Sequence, residues 1–341
     1  MGNRMNHVLY LDRHGVKLGF EKNRLTVRPP DAEEQTLPIE PIDAVVVLGH
    51  THFSHNAIAA LLQRNIPVIF SSLKGGYRGR LTTHLGQQVL RRQRQLDAMR
   101  DPEQCLLVAK ALVQAKIQGH KRLLRQWKIT ACADMHTSLH ALAHCQNLEP
   151  LRGYEGIAAR AFFNRLGQHL NGSPFCFEQR QYHPAPDPVN AVLSLAYTLL
   201  THEMEVGVAA TGLDVAGGFY HTSSPGRPAL LMDLIEPLRP LADRLSVGLL
   251  RRTLQPTDFT TSHGVCRLSD GKRGIIYTAW ETLLNSTIIW RSERTTWRRL
   301  IHLQAREMAQ WIDGRITLPR FWHLDGAQHD AFTPSSVPFL P

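Results

Sequence analysis

The stretch 211–240 reads Thr211-Gly-Leu-Asp-Val-Ala-Gly-Gly-Phe-Tyr-His221-Thr-Ser-Ser-Pro225-Gly-Arg-Pro228-Ala-Leu-Leu-Met-Asp233-Leu-Ile-Glu236-Pro-Leu-Arg-Pro240. It sets one histidine, His221, close in sequence to two acids, Asp233 and Glu236. Between them, Ser223-Ser-Pro-Gly-Arg-Pro228 is too rich in proline and glycine for a regular element. The following Ala-Leu-Leu-Met-Asp-Leu-Ile-Glu has helical spacing, with Pro228 suited to the first turn. Asp233 and Glu236 stand three apart and so share a helical face with room for one ligand between them. Leu230, Leu231, Leu234 and Ile235 border that face as core. Two carboxylates at the edge of an apolar helix need a positive partner. Two kinds stand open: an arginine, with Arg227 and Arg239 near in sequence, or a divalent cation. Oxygen ligands with one imidazole suit Mg2+ or Mn2+.

Outward from this stretch, 341 residues suffice for about two domains and a sizeable core. Hydrophobic residues make up 43% and charged residues 20%, the balance of an ordinary globular protein. The formal net charge of +10 favours polyanionic partners. The N-terminus carries no apolar signal run, and no long uncharged apolar stretch exists to span a membrane. Five scattered cysteines without CxxC spacing argue against a disulfide framework or a zinc knuckle, and for a reducing cytoplasm.

Residues 7–48 alternate in β fashion, with turn formers at 12–15 and 21–23, which predicts antiparallel hairpins. Ile42–Leu48 is a continuous apolar run, read as a strand buried on both sides, and 66–71 as another. Ser54 or Thr51 is placed to cap a helix containing Ala57, Ile58, Leu61 and Leu62. His50, His52 and His55 lack a nearby acid and are not read as a metal site. The predicted organisation is α+β: an N-terminal β-rich domain over 1–81, a basic connector over 82–100, a larger and mainly α-helical catalytic domain over 101–320, and a mobile tail over 321–341.

Beyond Asp101 helical periodicity dominates. Leu106, Leu107, Ala109 and Leu112 give an inner face, and Lys110, Lys116, Lys121, Arg122, Arg125 and Lys128 decorate the others. His136, His140 and His144 line one helical stripe without the glutamate of a zinc motif, so packing or solvent exposure is expected. Glu155 is flanked by Gly153 and Gly156, which lets a partner surface approach closely. Asp187-Pro188 starts a long helix whose polar members are Asn190 and Tyr197, both read as structural. Val265–Tyr277 is read as a hairpin around Ser269-Asp270-Gly271, and 292–312 as a last amphipathic helix.

Four segments then carry a resemblance: Tyr154-Glu-Gly-Ile-Ala-Ala-Arg-Ala-Phe-Phe163, Asp187-Pro-Val-Asn-Ala-Val-Leu-Ser-Leu-Ala-Tyr-Thr-Leu-Leu200, Gly212-Leu-Asp with Gly217-Gly-Phe-Tyr-His221, and Leu231-Met-Asp-Leu-Ile-Glu-Pro-Leu-Arg-Pro240. In this order and spacing the chain resembles the CRISPR-associated integrases of spacer acquisition. The resemblance implies a metal site built from Glu155, His221 and Glu236, with Asp233 as an auxiliary catalytic acid. It implies Mn2+ or Mg2+ as cofactor and attack of a DNA 3′-hydroxyl on a phosphodiester of a CRISPR repeat array. It further implies short duplex fragments and repeat DNA as substrates, a homodimer, and a small CRISPR-associated adaptation partner protein.

The lysines and arginines of 78–100, 110–128, 251–252 and 291–306 would then track phosphates. Two other readings remain open: a metal-dependent repair nuclease on branched or single-stranded DNA, and a non-catalytic DNA-binding scaffold in which Asp233 and Glu236 merely pair with arginines.

Overall fold

The computed structural model describes residues 7–71, 77–83 and 89–322, apart from His183, Ser223, Asp270 and Ser292. The β-rich first part comprises β1 (His7–Leu11), β2 (Val16–Glu21), β3 (Arg24–Arg28), β4 (Gln35–Pro38), β5 (Ile42–Val47), β6 (Thr51–Phe53), helix α1 (His55–Gln63), β7 (Val68–Ser71) and β8 (Tyr77–Leu81). Ser54 is the residue that caps α1, accepting from the Ala57 amide.

The strands form two four-stranded sheets, in the orders β1-β5-β7-β8 and β4-β3-β2-β6. The expected antiparallel hairpins hold for β2–β3 and β3–β4, but β1 pairs in parallel with β5, which is parallel to β7. Burial accounts for this correction. On β5, Val45 and Val47 face the core shared with α1 and the second sheet, while Ala44 and Val46 face Val206 across the helical part. Strands apolar on both faces belong inside a covered, largely parallel sheet.

The chain is then mostly helical, which makes the fold α+β: α2 (Val89–Arg100), α3 (Pro102–Gln126), α4 (Ala133–His144), α5 (Leu148–Leu170), α6 (Pro188–Ala209), α7 (Ala229–Ile235) and α8 (Arg239–Arg252). Short pairs β9 (Phe259–Ser262) with β10 (Val265–Leu268), and β11 (Thr287–Trp290) with β12 (Glu293–Thr296), frame α9 (Arg273–Asn285), and α10 (Trp297–Ile312) follows. The hairpin expected over Val265–Tyr277 is corrected. Its turn is His263-Gly264, both residues at positive φ (50° and 71°), and Ile276, Trp280, Leu283 and Leu284 give 273–285 a helical inner face. The last helix starts five residues later than expected because 293–296 pairs with β11.

Helix α6 is the central element, packed against α7, α8 and α10 and touching β5. Its Glu203 meets Arg298, which also holds Glu281, and Arg91 of α2 clamps Asp313 through two bonds of 3.0 and 2.6 Å. These arginines, with Arg80 on Glu205, are spent on internal carboxylates. The expectation that they track phosphates is corrected to that extent. Arg125, Lys128, Arg251 and Arg252 remain exposed. His136, His140 and His144 face solvent. Of the tail, Phe321 and Trp322 are buried against the helical core, and its remainder lies outside the described residues. All five cysteines are free, and among the described residues no helix is long and apolar enough to cross a membrane.

The seam between the first sheet and α6 is titratable. His202 Nε2 lies 2.6 Å from Ser71 Oγ, and burial pushes its pKa down to about 4. Glu205 meets Arg80 at 3.0 Å and Tyr77 at 3.4 Å, yet burial still pushes its pKa up to about 7. A carboxyl raised in this way contributes stability below its unfolded value, and loses it as pH rises through about 7. Glu205→Gln is therefore expected to lose less stability than the unmodified chain between pH 4.5 and pH 8, by at most about 3 kcal/mol. Thermal melts of both proteins across that range check it.

Candidate active site

Asp233 of α7 is fully buried and uses every lone pair it presents. Oδ2 accepts from the Phe219 and Tyr220 amides at 2.6 and 3.0 Å. Oδ1 accepts from the His221 amide at 2.8 Å and its Nδ1 at 2.7 Å. One carboxylate thus folds the loop 219–221 around itself. The glycines before this loop are needed for its close approach. A Cβ on Gly218 would lie 2.7 Å from Ala229 Cβ and 2.9 Å from the Ala229 carbonyl carbon. Gly218→Ala must push the loop off α7, and is expected to cost about 1–3 kcal/mol, read by chemical denaturation.

Asp233 Oδ1 accepts from His221 Nδ1, and the other ring nitrogen, Nε2, faces Glu236 Oε1 3.8 Å away. The ligand between the two acids, which their spacing left open, is therefore the imidazole itself. Pro237 lacks an amide hydrogen, and the helix tightens into a 3-10 turn over Glu236–Leu238 rather than continuing. The Glu236 side chain then reaches two cations. Arg239 lies 2.9 Å from Oε1, so of the two arginines near in sequence it is the one that pairs. The Lys116 ammonium lies 2.6 Å from Oε2, an ion contact without the alignment of a hydrogen bond. Burial would raise the Glu236 pKa, but Arg239, Lys116 and His221 outweigh it and hold it near 2.

Glu155 arrives from the middle of α5, and its Oε1 accepts from the same Lys116 ammonium. The helix surface beside it is bare: a Cβ on Gly153 or Gly156 would meet nothing within 4 Å. Glu155, His221, Asp233 and Glu236 thus come together from α5, the loop and the α7 end. Among the described residues no three His, Cys, Asp or Glu side chains already close into a metal cluster. Glu155 and Glu236 nevertheless converge on one cationic group, the Lys116 ammonium, and His221 Nε2 faces the other oxygen of Glu236. Two hard carboxylates at a position that already holds a positive charge, with an imidazole nitrogen next to one of them, suit Mg2+ or Mn2+.

Lys116 is the residue that sequence reading misplaced. The spacing of charges on α3 predicts an outer face for it, but it is only 7% exposed. Buried Leu112, Lys116 and His120 are successive i, i+4 positions, so the inward stripe of α3 passes through the lysine, a signal present in the spacing. Arg180 had no such signal. Its guanidinium bonds Asn190 at 2.8 Å and Ser194 at 3.0 Å, and lies over the Tyr182 ring at 4.3 Å. Asn190 itself ties Asp187 and the 179–181 backbone together, and Tyr197 donates to Asp243 beneath Arg239. A cavity of about 380 Å3 opens here, lined by Arg180, Arg227, Arg239, Tyr77, Tyr182 and Tyr197 among others. The Nε–H groups of Arg180 and Arg239 are buried without a partner.

Fold and site define an α+β protein whose helical part sets two carboxylates around one cation position, with an imidazole next to one of them and an arginine-lined opening beside it. A family model described as CRISPR associated protein Cas1 matches residues 9–282, and the chain belongs to that family. CRISPR-associated endonuclease Cas1 2 of Rhodospirillum rubrum is 30% identical over 341 residues, covering 93% of this chain and 98% of that protein. The CRISPR-associated exonuclease Cas4/endonuclease Cas1 fusion of Geobacter sulfurreducens is 31% identical over 330 residues and covers 90% of this chain. The chain spans only 57% of that fusion's length. A solved casposase bound to integration product shares the fold, with a TM-score of 0.83 at 22% identity, over 95% of this chain and 96% of that one.

Proposed function

We propose that the chain is a DNA integrase with endonuclease activity, dependent on Mn2+ or Mg2+. It joins the 3′-hydroxyl of a short DNA fragment to a phosphodiester of a CRISPR repeat. The observation that carries this reading is the convergence of Glu155 and Glu236, from distant segments of a Cas1-family chain, on one cation position, with His221 Nε2 facing Glu236.

Glu155, Glu236 and His221 Nε2 would hold the metal, which when bound stabilises the charge that builds on the phosphoryl oxygens. Asp233 accepts from His221 Nδ1 and fixes the ring plane, which leaves Nε2 as the nitrogen available to a metal. Arg180, Arg227 and Arg239 line the neighbouring opening, where guanidinium groups suit phosphate oxygens and the tyrosine faces suit a base. The bare surface at Gly153 and Gly156 admits a DNA backbone close to Glu155. The partners of this reading are DNA, a second copy of the chain and a small adaptation protein, all in the cytoplasm.

The test is an integration assay with a labelled short duplex, a supercoiled repeat plasmid and either metal, run beside His221→Ala. Joined products from the unmodified chain alone support the proposal, and equal products from both proteins refute the site. Cleavage without joining, even with the small partner added, would favour the repair-nuclease reading. In the scaffold reading both Asp233 and Glu236 pair with arginines; Glu236 does meet Arg239, whereas Asp233 binds three amides and His221.

A further inference from the structure

We propose that Lys116 is the resident cation of this site in the metal-free protein, and that a divalent ion binds by displacing its ammonium from Glu155 and Glu236. The inference rests on the metal-dependent reading above and adds a residue that acts on metal binding.

Its basis is geometric. Helix α3 lies against the start of α8 so closely that a Cβ on Gly119 would stand 2.8 Å from Pro240 Cγ. One turn earlier, Lys116 therefore enters the site from beneath. Its ammonium bridges Glu155 Oε1 and Glu236 Oε2. The two acids have side chains only 19% and 4% exposed, and without a cation they would face each other as buried like charges. Lys116 supplies that cation and holds them together.

The other cation, Arg239, occupies the opposite oxygen of Glu236 and is held over the Tyr197 ring at 4.7 Å, so it is fixed by packing. Lysine is a point charge on a flexible four-carbon stem, and is the group of the two that can leave. A divalent ion taking both carboxylates and His221 Nε2 would otherwise stand in contact with an ammonium of the same sign. Metal affinity is then set by competition with Lys116, besides the strength of the ligands.

Mn2+ binding measured by calorimetry without DNA tests this on the unmodified chain, Lys116→Met, Glu155→Gln and the double variant. Lys116→Met is expected to bind one Mn2+ at least about ten-fold tighter, because a buried competing charge is gone, and Glu155→Gln is expected to abolish that gain. Equal or weaker binding by Lys116→Met, with binding still dependent on Glu155, overturns the role of Lys116 alone. Binding that ignores Glu155, Glu236 and His221 in every protein overturns the metal reading itself. Where Lys116→Met does not fold, a crystal structure of the unmodified chain with Mn2+ decides. Lys116 Nζ beyond hydrogen-bonding distance of both carboxylates is the expected result. An ammonium still bridging them beside a bound ion overturns the inference.

Discussion

Glu155→Gln is expected to lower metal-dependent joining and cleavage of DNA by on the order of 10³-fold or more, with little change in stability. The substitution keeps the shape of the side chain and an oxygen to accept from Lys116, and removes only the negative charge. Glu155 is also the less enclosed of the two acids, with a side chain 19% exposed against 4% for Glu236, so a neutral amide there is tolerated. Glu236→Gln is a poorer probe, since it leaves both Arg239 and Lys116 short of a counter-charge and mixes stability with function. Rate measurements on short duplexes in Mn2+, paired with denaturation curves, check the separation. Loss of activity together with an equal loss of fold would remove Glu155 from the proposed ligand set.

Asp233→Asn is expected to damage both fold and activity, despite being nearly isosteric. Each carboxylate oxygen accepts from two N–H groups, Oδ2 from the Phe219 and Tyr220 amides, Oδ1 from the amide and ring of His221. An asparagine in either orientation turns its NH2 onto two donors, which leaves buried groups unsatisfied. A loss of about 3–5 kcal/mol follows for breaking such a buried charge-assisted set. His221 also loses the acceptor that fixes its tautomer, and a histidine left to reorient in this way is expected to cost a further large factor in rate. Urea denaturation and the integration assay measure the two effects. An Asn variant with unchanged stability would show that the Asp233 bonds contribute little.

Much of the architecture was legible because it rests on local pattern. The double-sided apolar run of β5, the Ser54 cap, the Asp187-Pro188 start of α6 and the long helices beyond Asp101 all follow from spacing and capping chemistry. Partner choice among strands was less legible. The alternation in β1 announces a strand, but its parallel pairing with β5 depends on Val206 of α6 covering the outer face. The sequence suggests a hairpin at 265–277 because Asp270-Gly271 is as good a turn signal as His263-Gly264, and only the packing of Trp280 and Ile276 selects a helix beyond it.

For the candidate site, sequence by itself determined the residue types: two acids and a histidine near Pro228, and Glu155 through family resemblance. The tertiary structure decided how each is used. Asp233 and Glu236 share a helix and three residues of spacing, yet one is turned inward to amides and the imidazole while the other meets Lys116 and Arg239. No local rule separates them, because their difference comes from the 3-10 turn at Pro237 and from α3 crossing beneath. Likewise, net charge announced a basic protein, but only the fold showed Arg80, Arg91 and Arg298 neutralising internal acids. A charge reads the same in sequence whether it meets water or a buried carboxylate, and its partner is fixed by chain crossings far apart in sequence.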